Sequence, residues 1–293
     1  MDWEQLNNDV RPMLQIDAHQ HFWKFDPVRD SWITDEMLAI KKDFLPEDFQ
    51  PLLQQNNFNG SVVVQSDQSE KENHFQLKNA DEHDFIKGVV GWVNLQSADI
   101  EQRLGYYSSF KKMKGFRHVL QGERDRALML KPAFMNGISK LEKFGFTYDI
   151  LIFPDQLKYT AEFVAAFPHQ KFVIDHIAKP DIKNKKIEDP IAIGWKKNIR
   201  AVAKYENVCC KISGMVNEAD WNNWKKEDLV PYLGTVVEAF GIERVMFGSD
   251  WPVCLVVASY EKVLGIVKEY FSSFSENEKQ LFFGGNAIKF YNL

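Results

Sequence analysis

Short apolar runs alternate with amphipathic segments along most of the chain. The runs are rich in β-branched residues, which is typical of buried strands. We count eight such runs between Leu14 and Asp250. They predict strands at Leu14–His21, Ser61–Gln65, Lys87–Val93, Lys114–Leu120, Thr147–Ile152, Lys171–Ile177, Asn207–Ser213 and Arg244–Asp250.

The segments between the runs repeat their apolar positions every three to four residues, which indicates helices. Two more such segments follow the last run. The predicted helices are Pro46–Asn56, Gln76–Asp84, Lys131–Phe144, Asp155–Phe167, Ile191–Tyr205, Leu229–Phe240, Ser259–Tyr270 and Glu276–Tyr291.

This alternation indicates an α/β fold in which helices cover a parallel sheet. Eight strands in 293 residues favour a single-domain (β/α)8 TIM barrel over residues 15–293, with residues 1–14 as an N-terminal extension. A doubly wound open sheet is the alternative, but it usually carries a glycine-rich turn after its first strand. The corresponding turn here, HFWKFDP, contains no glycine.

The barrel predicts that reactive side chains stand at the C-terminal ends of the strands, where such barrels place their active sites. The early positions of the runs are apolar, and polar residues come late. These late residues are His19, His21, Gln65, Arg117, His118, Asp175, His176, Lys211, Ser213 and Asp250.

His19 and His21 are spaced to share one face of a strand, where they are either a catalytic or metal-binding pair or two structural histidines. Of the neighbours Asp175 and His176, strict alternation lets only one point inward, and we expect it to be His176. Asp250 follows a buried strand next to strand 1, where it is either a site residue or the N-cap of a helix. Arg117 is either a substrate contact or an ion-pair partner.

These residues support two mechanisms. His19, His21, His176 and Asp250 can hold a divalent metal such as zinc, which lowers the pKa of a bound water. Alternatively, Asp250 acts as a general base without metal while the imidazoles and Arg117 stabilise an oxyanion.

Composition narrows the classes of partner. The net charge of −5 does not indicate nucleic-acid binding, which favours an excess of positive charge. No apolar stretch is long enough to cross a membrane. The three cysteines form no disulfide pattern, and we expect a cytoplasmic protein. The oligomeric state stays open, a homodimer included.

Several motifs resemble the sugar lactonases of the amidohydrolase-related family, L-fuconolactonase-like and L-rhamnonolactonase-like enzymes in particular. The resemblance runs from Gln15 to Tyr291 and implies a (β/α)8 barrel that hydrolyses a sugar-derived 1,4- or 1,5-lactone. The motifs are DAHQHFW, DFLPEDF, GVVGWVNL, GFRHVLQGE, YDILIFPDQL, FVIDHIAKP, CKISGMV and MFGSDWPVC.

The resemblance marks five active-site residues, with Asp250 as the general base. They are His19, His21, Arg117, His176 and Asp250. It also implies substrate contacts from the same motifs, namely Trp23, His118, Gln121 and Trp251.

The chain departs from the metal-rich members of the superfamily. Strand 4 ends in Arg117-His118 rather than in a bridging Lys or Glu, and strand 5, TYDILIF, has no histidine. We therefore expect no binuclear centre, and either no required cofactor or a single zinc ion. A metal-dependent decarboxylase of the same superfamily is the alternative function, and a non-catalytic barrel is a further one.

Overall fold

The computed structural model describes residues 14–184 and 186–293, so most of the predicted N-terminal extension lies outside the described residues. Eight parallel strands pair in chain order, from β1 with β2 to β7 with β8. The strands are β1 (Ile16–Gln20), β2 (Gly60–Val64), β3 (Ile86–Gly91), β4 (Met113–His118), β5 (Thr147–Ile150), β6 (Phe172–Ile174), β7 (Val208–Ile212) and β8 (Val245–Phe247).

The segment after β8 closes the barrel against β1. The Asp250 amide donates to the His19 carbonyl at 2.9 Å, and the His21 amide donates to the Trp251 carbonyl at 2.7 Å. The predicted (β/α)8 barrel is therefore confirmed, and the doubly wound open sheet is wrong.

Helices connect the strands and pack around the barrel, and one of them was not predicted. This is α3, whose eight residues include Gly105 and two tyrosines and so carry a weak helical signal. The helices are α1 (Pro46–Gln55), α2 (Glu70–Glu82), α3 (Ile100–Tyr107), α4 (Pro132–Leu141), α5 (Leu157–Ala165), α6 (Pro190–Val202), α7 (Lys226–Phe240), α8 (Tyr260–Tyr270), α9 (Glu276–Gln280) and α10 (Asn286–Tyr291).

The terminal helix predicted as one piece is divided by a π turn at Leu281–Gly285. At this turn the chain lies directly against the backbone before β1. A Cβ on Gly284 would lie 1.9 Å from the Leu14 carbonyl oxygen, so only glycine allows this approach.

The barrel interior contains an apolar layer and a group of charged side chains. Barrels of this class are usually filled with branched apolar side chains. Here Arg117, Asp149, Asp175 and Lys211 are buried beside the apolar layer, with Asp149 paired to Val173 and Lys211 to Met246 in the sheet. The apolar layer consists of Ile16, Ala18, Val62, Val64, Val90, Val173 and Met246, together with Ala287, Phe290 and Tyr291 from α10.

A bulge in β1 determines which of its residues face the interior. Asp17 pairs with Ser61 and Gln20 pairs with Val63, so β1 has one extra residue between them. Such an extra residue re-aims the side chains that follow it. Ala18 belongs to the apolar layer, and His19 nevertheless faces the interior as well.

None of the helices among residues 14–184 and 186–293 is long and apolar enough to span a membrane.

The packing of α2 on β3 yields a stability prediction. Asn73 donates to the Trp92 carbonyl and accepts from the Trp92 amide, each at 2.7 Å, and Asn73 is fully buried. Asn73→Ala should lower the free energy of unfolding by about 2–4 kcal/mol, because both peptide groups lose their partner. Chemical denaturation measures this change.

Asn136→Ala, at an exposed position of α4, is the matched control. It should change the free energy of unfolding by no more than about 0.5 kcal/mol. Equal effects of the two substitutions would contradict the role assigned to Asn73.

Candidate active site

Four predicted site residues meet at the C-terminal end of the barrel. The Nε2 atoms of His19 and His21 are 3.2 Å apart. Asp250 Oδ1 lies 3.3 Å from His21 Nε2 and 3.8 Å from the Nε2 atoms of His19 and His176. All four residues are buried. The sequence therefore predicted correctly that these side chains converge.

The cluster fits a divalent cation. Tetrahedral ligands about 2.0–2.1 Å from zinc stand roughly 3.3 Å from one another, close to the separations observed. Asp250 Oδ1 is buried and has no hydrogen-bond partner among the described residues, which leaves it able to bind a cation. His21 Nδ1 is 2.7 Å from the Val64 carbonyl, so Nδ1 carries a hydrogen and Nε2 is the nitrogen that points into the cluster.

The interpretation that only one of Asp175 and His176 points inward is wrong. Asp175 Oδ1 lies 3.3 Å from His19 Nδ1, while His176 Nε2 faces Asp250. Strand β6 ends at Ile174, and the chain then enters a left-handed turn. Its φ values are 52° at His176, 49° at Ile177, 59° at Ala178 and 49° at Lys179.

This turn is strained, because each non-glycine residue in the left-handed region costs about 1–2 kcal/mol. The segment IDHIAKP contains no glycine that would indicate a left-handed turn, so the sequence predicted that side chains alternate there as in a regular strand. The turn brings two consecutive side chains into one site, which a regular strand cannot do.

Asp250 also has a left-handed backbone, with φ of 58°, which aspartate tolerates better than most residues. Asp17 Oδ1 supports this segment by accepting from the amides of Ser249 at 3.0 Å and His19 at 3.1 Å. The N-cap alternative for Asp250 is wrong, because Ser259 caps α8. Asp17 was missed by the sequence analysis, although it stands in the same motif as His19.

A buried ionic network lies beneath the histidines. Arg117 Nη1 donates to Asp175 Oδ2 at 2.9 Å and lies 3.3 Å from His19 Nε2. Lys211 Nζ lies 2.5 Å from Asp149 Oδ2 and 3.1 Å from Asp175 Oδ1. The ion-pair interpretation of Arg117 is thus confirmed, and its guanidinium reaches the cluster as well.

Burial and these charges set the protonation of the cluster. Burial lowers the pKa of His19 and of His176 well below the usual histidine value, so both rings are neutral at pH 7. Burial alone would raise the pKa of Asp250, but His176 and His21 together hold it below its ordinary value. The site therefore presents an ionised carboxylate to the neutral imidazoles of His19 and His176.

The similarity of this chain to known proteins covers the full length of the barrel. The sequence pattern of the Amidohydrolase family matches residues 16–293. The chain belongs to this family. It is 35% identical over 286 residues to L-fucono-1,5-lactonase of Burkholderia multivorans and 32% identical over 287 residues to that of Burkholderia ambifaria, with 96% of each chain covered.

A solved structure agrees with this assignment. The crystal structure of a Burkholderia multivorans amidohydrolase with bound zinc superposes with a TM-score of 0.91 at 35% identity, over 96% of this chain and 99% of that chain. The family resemblance drawn from the sequence motifs is confirmed.

The predicted substrate contacts of this amidohydrolase occupy different places. Trp23 lies beside the cluster, its ring centroid 6.4 Å from that of His21. Gln121 is half-buried, and its Oε1 has no hydrogen-bond partner among the described residues. Both remain predictions.

The other two side chains are not brought to the cluster. Trp251 is buried and stacks on Phe49 at 4.7 Å. His118 Nε2 lies 2.8 Å from Glu123 Oε1, and its ring contacts Phe134 of α4 at 5.7 Å. Arg117 faces the interior, so strand alternation turns His118 toward the helices.

Gly214 of the amidohydrolase gives a test of how His176 is held. Its φ is +63°, and a Cβ there would lie 2.6 Å from His176 Nδ1. Gly214→Ala should therefore lower the free energy of unfolding by about 1–3 kcal/mol, through backbone strain and displacement of the ring. Thermal and chemical denaturation measure it.

Gly194→Ala is the matched control, because a Cβ at this position in α6 meets nothing within 4 Å. It should raise the free energy of unfolding by up to about 1 kcal/mol, since alanine favours helix. A stabilising effect of both substitutions would contradict the packing described for His176.

Asp17 gives a pH-dependent prediction. Burial raises its pKa to about 6, so the folded state holds the proton more tightly than the unfolded chain, whose aspartates titrate near pH ~3.9. The stability that Asp17 contributes is present below pH ~4 and is lost as pH rises to about 6. Asp17→Asn should remove this loss. Its free energy of unfolding, compared with that of wild type, should therefore be about 3 kcal/mol higher at pH 7 than at pH 4.

Urea unfolding at the two pH values measures this difference. Asp81→Asn, at an exposed position of α2, should follow the wild-type dependence. If the free energies of unfolding of wild type and Asp17→Asn change by the same amount between the two pH values, Asp17 titrates normally and the prediction is contradicted.

Proposed function

We propose that this amidohydrolase opens a sugar-derived 1,4- or 1,5-lactone, such as an L-fuconolactone, to the aldonic acid. The observation that carries the proposal is the ionised Asp250 carboxylate, buried among three imidazoles at the mouth of the barrel. A carboxylate in this position can take a proton from an attacking water. The two Burkholderia relatives named L-fucono-1,5-lactonase support the choice of a sugar lactone.

In this mechanism Asp250 is the general base. The water attacks the lactone carbonyl as Asp250 Oδ1 accepts its proton, and the positive charge of Arg117 nearby stabilises the oxyanion. The proton that Asp250 has taken then passes to the departing ring oxygen by way of His176, whose Nε2 is 3.8 Å from Asp250 Oδ1 and whose Nδ1 is 2.9 Å from Ser213 Oγ. This transfer restores the Asp250 carboxylate and leaves His176 neutral. His19 and His21 line the same space and orient the water.

We further propose that the site takes at most one divalent cation, with zinc the best fit. His19, His21, His176 and Asp250 would hold it, and a zinc ion supplies a bound water of lowered pKa. The related Burkholderia multivorans structure with bound zinc supports the choice of metal. A second ion is disfavoured, because the cationic groups of Arg117 and Lys211 already neutralise Asp175.

The charges around the site also favour a neutral substrate over the carboxylate of a decarboxylase. Arg117 pairs with Asp175, and Lys211 pairs with Asp149. Lys179, beside the cluster on the left-handed turn, pairs with Glu218 at 3.2 Å. Each of these cations is thus occupied by a carboxylate of the protein itself. A hydroxyl-rich lactone needs hydrogen bonds rather than a free cation.

A panel of lactones tests the function. The purified protein should hydrolyse at least one of L-fucono-, L-rhamnono-, D-galactono- and L-arabinono-lactone and release one proton per turnover, measured with a pH indicator with and without a chelator. Asp250→Asn should lower kcat by about 100- to 10,000-fold, because the general base is lost.

Asp81→Asn should leave kcat unchanged, since this residue is exposed on α2. No acid release from any lactone, or release of carbon dioxide from an aromatic acid, would overturn the proposed function. Full activity of Asp250→Asn would overturn the role of the base alone.

A further inference from the structure

An exposed aromatic side chain stands at the end of the barrel that carries the site, and the proposed mechanism does not use it. Phe153 follows β5, whose residues are all buried, yet 38% of Phe153 is exposed. Its ring centroid lies 5.9 Å from the Arg126 guanidinium and 6.0 Å from Lys179 Nζ. These two cations follow β4 and β6. Phe153 therefore presents a ring surface between three neighbouring loops at the C-terminal ends of the strands.

Arg126 holds this ring in place and has its own partners in the protein. Its Nε and Nη2 donate to the two carboxylate oxygens of Asp155 at 2.7 and 2.8 Å, and its Nη1 donates to the Gln121 carbonyl at 2.9 Å. The backbone of Phe153 is fixed as well, because its amide donates to Gln156 Oε1 at 3.0 Å. The ring is thus positioned by the protein before a ligand binds.

Lys179 forms an ion pair on the other side of the ring. Its Nζ lies 3.2 Å from Glu218 Oε1, and 19% of each side chain is exposed. An ammonium group has three donors and a carboxylate accepts several hydrogen bonds, so both partners keep capacity for a ligand. Burial raises the pKa of Glu218, Lys179 opposes this effect, and the negative charge of Asp250 adds to it. The pair is therefore within electrostatic reach of the proposed base.

The turn that carries Glu218 lies against the cluster. It begins after Gly214, where a Cβ would lie 2.6 Å from His176 Nδ1. Asn217 of the same turn donates to the Val253 carbonyl, in the segment after β8, at 3.0 Å. The turn is thus attached both to the His176 ring and to the segment that carries the proposed base.

An unpartnered oxygen lies near the ring. Gln121 Oε1 is buried and has no hydrogen-bond partner among the described residues. The Gln121 amide donates to the Leu151 carbonyl at 3.0 Å, two residues before Phe153. Buried polar groups are normally hydrogen-bonded, so an unpartnered one at this end of the barrel points to a polar ligand. A ligand with both hydroxyls and an apolar face fits the ring, the ion pair and this oxygen together.

We propose that Phe153, Lys179 and Glu218 form the subsite that binds the hydroxyl-bearing part of the lactone. This inference rests on the proposed function and names the residues that select among lactones. The carbon-bound hydrogens of one sugar face pack on the Phe153 ring. Lys179 donates to one hydroxyl and Glu218 accepts from its neighbour, since a hydroxyl can do both. The subsite thus selects the arrangement of hydroxyls while Asp250 acts at the carbonyl.

Binding of a lactam tests the role of the ring. The 1,5-lactam that corresponds to L-fuconolactone has a ring amide that resists hydrolysis, so calorimetry measures its Kd on the intact protein. Phe153→Ala should raise this Kd about tenfold, and Phe153→Tyr should keep it within about twofold. Tyr106→Ala is the matched control and should leave the Kd unchanged. Tyr106 is also exposed and lies 5.1 Å from an arginine, Arg103, but it stands near the end of α3, before β4.

Glu218→Gln tests the hydroxyl contact. It keeps the size of the side chain but removes the charged acceptor, so the Kd of the lactam should rise about tenfold. Glu238→Gln is the matched control, because Glu238 of α7 pairs with Arg200 of α6 at 2.7 Å, and it should leave the Kd unchanged. Lactams that each lack one hydroxyl then identify the contact. For one of them, wild type and Glu218→Gln should bind equally well.

Lactam binding is measured without hydrolysis, so the two proposals fail separately. An unchanged Kd in Phe153→Ala or in Glu218→Gln would overturn the subsite, and so would the absence of lactam binding by the wild-type protein. An equal effect of Glu218→Gln on every lactam of the deoxy set would contradict its contact with a hydroxyl. The absence of acid release from the lactone panel would overturn the proposed function instead.

Discussion

The closure of the barrel between β1 and the segment after β8 is the constraint on which the site depends. Two backbone hydrogen bonds, from Asp250 to His19 and from His21 to Trp251, bring the first and last parts of the barrel together. They place the carboxylate beside the histidine pair. Asp17 strengthens the same seam by accepting from the amides of Ser249 and His19. The same hydrogen bonds therefore both close the barrel and fix the geometry of the site.

Burial gives this arrangement its chemistry. Three imidazoles in a buried cluster surround a carboxylate that stays ionised, because His176 and His21 offset the cost of burying it. Directly below, Arg117 and Lys211 balance the carboxylates of Asp149 and Asp175. The charged network supports the rings from beneath without placing a free cation in the substrate space, which suits a neutral lactone.

Much of this was predictable from the sequence, because apolar runs with late polar residues identify both the strands and the end of the barrel that carries the site. The remainder depends on local departures from regular geometry. The bulge in β1 and the left-handed turn at His176 break strict alternation without a glycine signal. Asp17 and Lys211 looked like ordinary strand residues, because their roles come from partners in distant parts of the chain.

The most direct test of the account is a crystal structure of the Asp250→Asn variant with an L-fuconolactone bound. The account predicts the lactone carbonyl at the mouth of the barrel, with a water between the carbonyl carbon and residue 250, about 3–3.5 Å from that carbon. His176 should lie near the ring oxygen. A lactone bound away from His21 and His176, or with its carbonyl turned from residue 250, would contradict the central claim.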